Sequence, residues 1–577
     1  MRNQEFRQCQ FCKNEFLIES EDFMFYEKIQ VPPPTFCPEC RSTQRLLTRN
    51  IKSLYKRNCD QCGNNIVSRF ATDNPAKMYC RECWWADGWG GLDYGRDYDF
   101  SRSFFEQFKE LLFSVPHVAL FATNVVNSDY VNMESDIKNC YLTFGGHYNE
   151  DCMFSEYSIY SKNVYDSYWS MHCEDCLGNI NLEKCYRTFF SRNCNNCLDT
   201  FFSYDCRGCS NIIGCAGLRN KNNCIYNKQY SKEEFEKLKT EMDFGSNSEI
   251  KKIQTEAEKV WQSFPKRFST QSQTVNCTGD NISNAKNTKN AFWVEEGENL
   301  KYVFVDGWSK DCQDETSVGK NELSYMSASG GGYYNCKAVL YSFSADVLNT
   351  KNCYNCEYSY TLINSSDCFG CVGIRNKQYC ILNKQYTKED YLDIKKRIIV
   401  QMGERPFVSS VTGCKFGYGD FFPPEHSLFA YNETVANDFY PLDRDQILSN
   451  GFLFKEDTTK EHEPTDYNVP DNIKDVKDDI LEQVLKCELS NKTYRITKKE
   501  LQFYRKVGLP IPRVAPFERI RQRFMDLLPI KLWERQCMCS NSKHNHQGKC
   551  PTIFETPYSP GRPEVVYCED CYQREVY

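Results

Sequence analysis

A mostly β chain is expected, with two tandem β-solenoid modules, each followed by a helical cap, between small cysteine-rich modules at both ends. Three observations carry this expectation. The phrase GCAGLRNKNNCIYNKQY at 214–230 returns as GCVGIRNKQYCILNKQY at 370–386, 156 residues later. Ahead of the first copy, Cys152, Cys173, Cys194 and Cys215 recur every 21 residues, as do Cys176 with Cys197 and Cys185 with Cys206. Paired CxxC motifs crowd the termini.

A chain of 577 residues needs several hydrophobic cores. Aromatic residues make up 15% of it, and this excess favours strands over helices. The net charge of -7 excludes few partners, but its distribution is uneven. Six bases and no acid lie between Arg41 and Arg57, ten acids against four lysines between Phe454 and Glu482, and ten bases against two acids between Lys492 and Arg523. No run reaches 18 apolar residues, so no membrane association is expected. The start, MRNQEFRQCQFCKNEF, has no apolar core of the kind a secretory leader needs. A cytoplasmic location follows as an expectation, with the 34 cysteines holding metal or staying reduced rather than cross-linking.

At the N-terminus, Cys9 and Cys12 are matched by Cys37 and Cys40, and Cys59 and Cys62 by Cys80 and Cys83. Four thiolates make a tetrahedral soft-donor set that suits zinc and leaves no position for water, so both sites read as structural. These give zinc module 1 over 1–52 and zinc module 2 over 53–92, followed by a junction over 93–124.

The far end echoes this one. FYEKIQVPPPTFCPECRSTQR at 25–45 resembles FYRKVGLPIPRVAPFERIRQR at 503–523, at an offset of 478. The same offset carries Cys9 onto Cys487 and Cys59 onto Cys537, but puts Ser490, Ala515 and Glu518 where Cys12, Cys37 and Cys40 stand. Residues 484–530 therefore read as a degenerate module that keeps its fold without metal. In the last module, 531–577, Cys568 and Cys571 join two of Cys537, Cys539 and Cys550, and His544 and His546 are candidates for an additional site. About three zinc ions are expected, within a range of two to four.

The Cys59 to Cys83 spacing resembles small zinc domains with a CxxC, seventeen residues, CxxC pattern, and FCPECRSTQRLLTRN resembles zinc-binding segments of uncharacterised bacterial proteins. The resemblance implies zinc-ribbon or treble-clef folds for the terminal modules and implies no activity.

Between them, residues 125–230 and 270–386 read as the two solenoids, with a repeat of about 20 residues and the recurring cysteines stacked as internal ladders. The second copy is looser, its best echoes being the steps from Val347 to Cys368 and from Thr350 to Cys371. Helical caps are expected over 231–264 and 387–403, their acidic first turns following the duplicated phrase. The phrase then serves to terminate a solenoid whose last strand edge would otherwise be open. Residues 404–483 read as an irregular and acidic connector.

No phosphate-binding glycine loop, GxSxG elbow or HExxH site is present in the sequence. A zinc-stabilised scaffold or protein-interaction role, with self-assembly or a protein partner, explains most of the chain. The alternative is nucleic-acid binding through Arg41, Arg45, Arg49, Lys52, Lys56, Arg57, Arg519, Arg521 and Arg523, with Trp84, Trp85 and Trp89 stacking on bases. A weaker alternative is a carbohydrate-active groove using acids such as Glu134, Glu156, Asp166 and Glu174.

Overall fold

The computed structural model describes residues 3–342, 353–457 and 462–577. It is mostly strand, much of it in parallel sheets, with helices between and after the sheets and cysteine clusters at both ends.

From Ala122 to Ile225 each short strand pairs in parallel with the segment twelve residues on, as in Ala122 with Glu134, Lys162 with Glu174 and Ser210 with Asn222. Every third residue from Asn124 to Tyr226 has a left-handed backbone, so each stretch between bends is a triplet and four triplets make one step of the pairing. Asn, Asp and Gly adopt this conformation readily. Tyr148, Tyr160 and His172 do not, and they are compensated by stacking twelve residues apart, with ring centroids 4.7 and 5.0 Å apart and planes within 6°. Asn127 likewise donates to Asn139, at 2.7 Å.

The residue after each left-handed one is mostly buried, and these residues form a core of their own, including Cys140, Cys152, Val164, Cys173, Cys185 and Cys194. Why thiols and hydroxyls suit it is visible in the hydrogen bonds. Cys152 Sγ donates to the carbonyls of Glu150 and Ser161 at 3.4 and 3.5 Å, and Ser161 Oγ faces those of Ile159 and Ser170 while accepting the Cys173 N–H at 3.3 Å. A small donor two residues after one carbonyl and nine before another satisfies backbone that a leucine would leave bare.

The 21-residue recurrence is therefore seven triplets, whereas the pairing advances by four. Cys152, Cys173, Cys194 and Cys215 do not sit opposite one another, and the expected repeat of about 20 residues is corrected to twelve. The register instead aligns Cys140 with Cys152, Cys173 with Cys185 and Cys197, and Cys194 with Cys206. Sequence identity at 21 residues reports that two positions are of the same type, not that they touch.

The second run keeps the twelve-residue step, from Gly279 with Ala291 to Ser366 with Gln378, and lengthens once to twenty at Lys337 with Glu357. Val347 and Thr350 lie outside the described residues. The interior here includes Asp306 and Glu315, both buried, each with one carboxyl oxygen lacking a partner. Burial pushes Glu315 up to about 7 despite the amide of Asn321, and burial beside Glu315 raises Asp306 well above the carboxylate range.

The duplicated phrase ends both runs in the same way. Asn227 and Asn383 fold their side-chain amides against the backbone N–H and C=O of Ala216 and Val372, all at 2.8–2.9 Å, imitating a further strand. A return strand then pairs antiparallel, Cys224 with Gln229 and Cys380 with Gln385. Ser231 and Thr387 cap the helices that follow, Lys232–Glu241 and Lys388–Glu404. A further helix, Asn247–Ser263, lies beyond the first of them.

The terminal segments dock crosswise. Arg41 and Arg45, from helix Pro38–Leu47, both reach Asp314 in the second run, at 3.0 and 2.9 Å. Arg519 and Arg523, from helix Pro516–Asp526, both reach Asp166 in the first run, at 2.9 and 3.2 Å. Each leading arginine also donates to the carbonyl five residues before it, that of Phe36 or Val514. Both aspartates occupy left-handed positions.

Two outcomes follow. Asp314→Ala leaves two guanidinium groups buried without a counter-charge and should cost about 3–5 kcal/mol of docking energy. Hydrogen exchange in residues 38–47 should then rise by roughly two to four orders of magnitude, with a smaller change around 516–526. Glu315 has its folded pKa raised above its usual 4.5, so its contribution is fully present below about 4.5 and lost as pH rises through about 7. Melting temperature should fall across that window, and Glu315→Gln should flatten the fall.

Candidate metal centres

One local design recurs in the terminal segments. A hairpin carries two donors in its turn, and the N-terminus of a short helix carries two more. In the first, strands Glu5–Gln8 and Glu15–Ile18 flank Cys9 and Cys12, while Cys37 caps the helix that holds Cys40. Lys13 takes a left-handed conformation, letting the turn close with Cys9 N–H donating to Asn14 and Lys13 N–H to Cys9. In the second, strands Tyr55–Asn58 and Asn65–Ser68 flank Cys59 and Cys62, Gly63 replaces Lys13, and Cys80 caps helix Arg81–Trp85, which holds Cys83.

The donors fit an ion. All four thiols of each group lie within 4.8 Å of one another. A tetrahedral ion with metal–sulfur bonds of about 2.3 Å places its sulfurs about 3.8 Å apart. Cys12 and Cys37 are 3.7 Å apart, and Cys62 and Cys80 are 3.9 Å apart. Backbone N–H groups already point at the sulfurs, Cys37 to Cys9 at 3.3 Å and Cys80 to Cys59 at 3.2 Å. Burial works to raise the Cys59 thiol, but the N–H groups of Cys62, Cys80 and Gln61 outweigh it and bring it down to about 7. Helix N-termini favour thiolate in the same sense.

At the C-terminus, strands Trp533–Gln536 and Ile553–Thr556 precede helix Glu569–Val576, which Cys568 caps. Cys537, Cys550, Cys568 and Cys571 converge, with Cys550 and Cys568 3.9 Å apart and the Cys568 N–H 3.2 Å from Cys537 Sγ. Cys539 belongs to another group, with His544, His546 and, again, Cys571. The degenerate segment keeps the geometry of the first without its donors, since Cys487 Sγ accepts the Ala515 N–H at 3.4 Å as Cys9 accepts that of Cys37. Ser490, Ala515 and Glu518 complete no thiol set there.

A further echo escaped the sequence reading. Ser409 to Cys414 closes the same turn, Ser409 N–H to Cys414 and Gly413 N–H to Ser409, with Ser and Thr where the cysteines would stand. It lies against the first group, its Cys414 Sγ 3.5 Å from the Gln10 carbonyl. With both cysteines of the pair replaced, no spacing in the sequence marks it.

The residues expected to meet nucleic acid lie mostly inside the molecule. Arg41 and Arg45 are each 1% exposed, and Arg49, Arg519 and Arg523 are buried as well. Lys52 pairs with Asp438 at 2.8 Å, and Arg57 with Asp60 at 3.2 Å. Trp84 is buried with its indole N–H on Pro116, and Trp89 donates to the carbonyls of Cys83 and Trp84. Lys56, Arg521 and Trp85 remain exposed, Arg521 beside Glu518. A phosphate would have to displace Asp314 to reach Arg41 and Arg45, and Asp166 to reach Arg519 and Arg523, while Arg49 is turned inward onto the Ser329 hydroxyl.

The acids considered for a carbohydrate groove do not converge on one either. Glu134 and Glu156 are buried, Asp166 holds Arg519 and Arg523, and Glu174 is exposed. Compared with known proteins, the chain matches no family model and no curated protein.

Removing metal tests this geometry. Cys59→Ser should lower the metal content of the full chain by one ion and its melting temperature by about 5 °C or more. Cys487→Ser should leave the metal content unchanged, as read by elemental analysis.

Proposed function

We propose that this protein is a zinc-stapled, non-enzymatic scaffold of two β-solenoids with twelve residues per coil. Its small terminal modules, of treble-clef-like hairpin-and-helix design, fix how the two solenoids lie together. The observation that carries this reading is the duplicated clamp, Arg41 and Arg45 on Asp314 and Arg519 and Arg523 on Asp166. The same helix design holds each run from the opposite end of the chain, which suits a part whose task is to keep a shape.

Zinc suits the four-thiolate sets, which leave no open position for substrate. A reducing compartment, and so a cytoplasmic location, suits 34 cysteines that all stand unbonded to one another. No helix among the described residues is long and apolar enough to cross a membrane. A protein partner or a second copy of the chain is the expected occupant of the outer surface, where Tyr148, Tyr160 and Trp308 are exposed.

Native mass spectrometry of the gently purified full chain tests this. Zinc-loaded protein as a defined homo-oligomer or protein complex, unchanged between roughly 50 and 300 mM salt, is the expected result. Co-purifying nucleic acid that salt releases steeply would overturn the reading in favour of nucleic-acid binding.

A further inference from the structure

The C-terminal module holds more donors than one ion uses. Cys537, Cys550, Cys568 and Cys571 already supply four thiols to a single point. Cys539, His544 and His546 remain, and the only further donor within 4.8 Å of all three among the described residues is Cys571 again. Two four-coordinate ions need eight positions, and seven donors fill eight only when one is shared.

The histidines are set as ligands. His546 Nδ1 lies 2.9 Å from the Gly548 carbonyl, which can only accept, so Nδ1 carries the hydrogen and Nε2 presents a bare lone pair. That Nε2 is 3.5 Å from Cys571 Sγ, and the edge of a tetrahedral site between nitrogen and sulfur is about 3.5 Å. His544 turns its Nδ1 to Cys539 Sγ at 3.1 Å, and its Nε2 faces the Asn541 side-chain amide at 3.3 Å and, farther off, a carboxylate oxygen of Glu575 at 3.6 Å. The Gly548 carbonyl behind His546 is the support that metal-bound imidazoles take. Cys539 is fully buried and His544 nearly so, which an insertion loop of merely polar residues would not require.

We propose that the C-terminal module holds two metal ions, one in a four-thiolate site and one in a site of two thiolates and two imidazoles, joined by the Cys571 thiolate as a bridge. Binding releases the five thiol protons to solvent and leaves a centre of five thiolates, two neutral imidazoles and two divalent cations, with a net charge of one negative. A single ion in the four-thiol set would leave Cys539 and both histidines gathered around nothing. The bridge also sets the order of loss, because removing Cys571 opens both sites while removing a histidine opens one.

The proposal rests on the terminal cysteine groups being metal sites, and the experiment separates the two ideas. Zinc per chain is counted by native mass spectrometry on the full-length protein and on variants, the N-terminal groups serving as an internal count of two. Four ions are expected in the parent, three in the His544→Ala, His546→Ala double variant and two in Cys571→Ser. Three ions in both the parent and the histidine variant would overturn the second site while leaving the metal reading intact. Three in Cys571→Ser would overturn the bridge, and none in the parent would overturn both ideas. Because loss of Cys571 can unfold the module, the intact protein is also loaded with cobalt(II). Two ions coupled through one sulfur should give an electron-spin count well below the cobalt count, and equality of the two would overturn the bridge.

Discussion

A left-handed backbone at every third residue is the constraint on which the rest of the molecule depends. It divides the chain into triplets, and four triplets bring a strand back beside its predecessor. Once that is fixed, side-chain choice follows. The left-handed position is most often Asn, Asp, Gly or an aromatic ring, although Met133, Lys184 and Val305 also hold it. The next position favours a small side chain able to donate to two carbonyls, which selects Cys, Ser and Thr. A composition that looks like a metal reservoir is thus largely backbone hydrogen bonding, and only the terminal thiols converge as four-donor sets among the described residues.

Much of this was legible in the sequence, and the failures have physical reasons. CxxC pairs are strong signals because the two cysteines of a pair must flank one tight turn, and the expected N-terminal groups of Cys9 to Cys40 and Cys59 to Cys83 do come together. The duplicated phrase was readable as a terminator, since Ser231 or Thr387 and the acids directly after it sit where a cap and a first helical turn need them. Its decisive part, the Asn227 and Asn383 amides standing in for a strand, depends on a backbone contact that no spacing reveals. The twelve-residue pairing step is hidden because small thiols and hydroxyls recur at the same place in successive triplets. Any multiple of three then repeats well, and the strongest repeat need not be the structural one.

The basic segments show a different limit. A run of arginines without acids reads as a surface for phosphate when the partner carboxylate is far away in sequence. Asp314 lies 273 and 269 residues from Arg41 and Arg45, and Asp166 lies 353 and 357 from Arg519 and Arg523. Charge patterning within a window cannot see such partners, whereas the duplication at an offset of 478 already hinted that both helices had the same task.

The crosswise docking also orders events during synthesis. The first module can close around its own cysteines as soon as it emerges, but its arginines have no carboxylate to meet until residue 314 has been made. The first parallel run waits longer still, until residue 523 delivers its clamp. Contacts of such long sequence separation close late and slowly. The early-made half of the chain must therefore persist half-covered on the ribosome, and a chain cut short near its end loses the cover of its beginning.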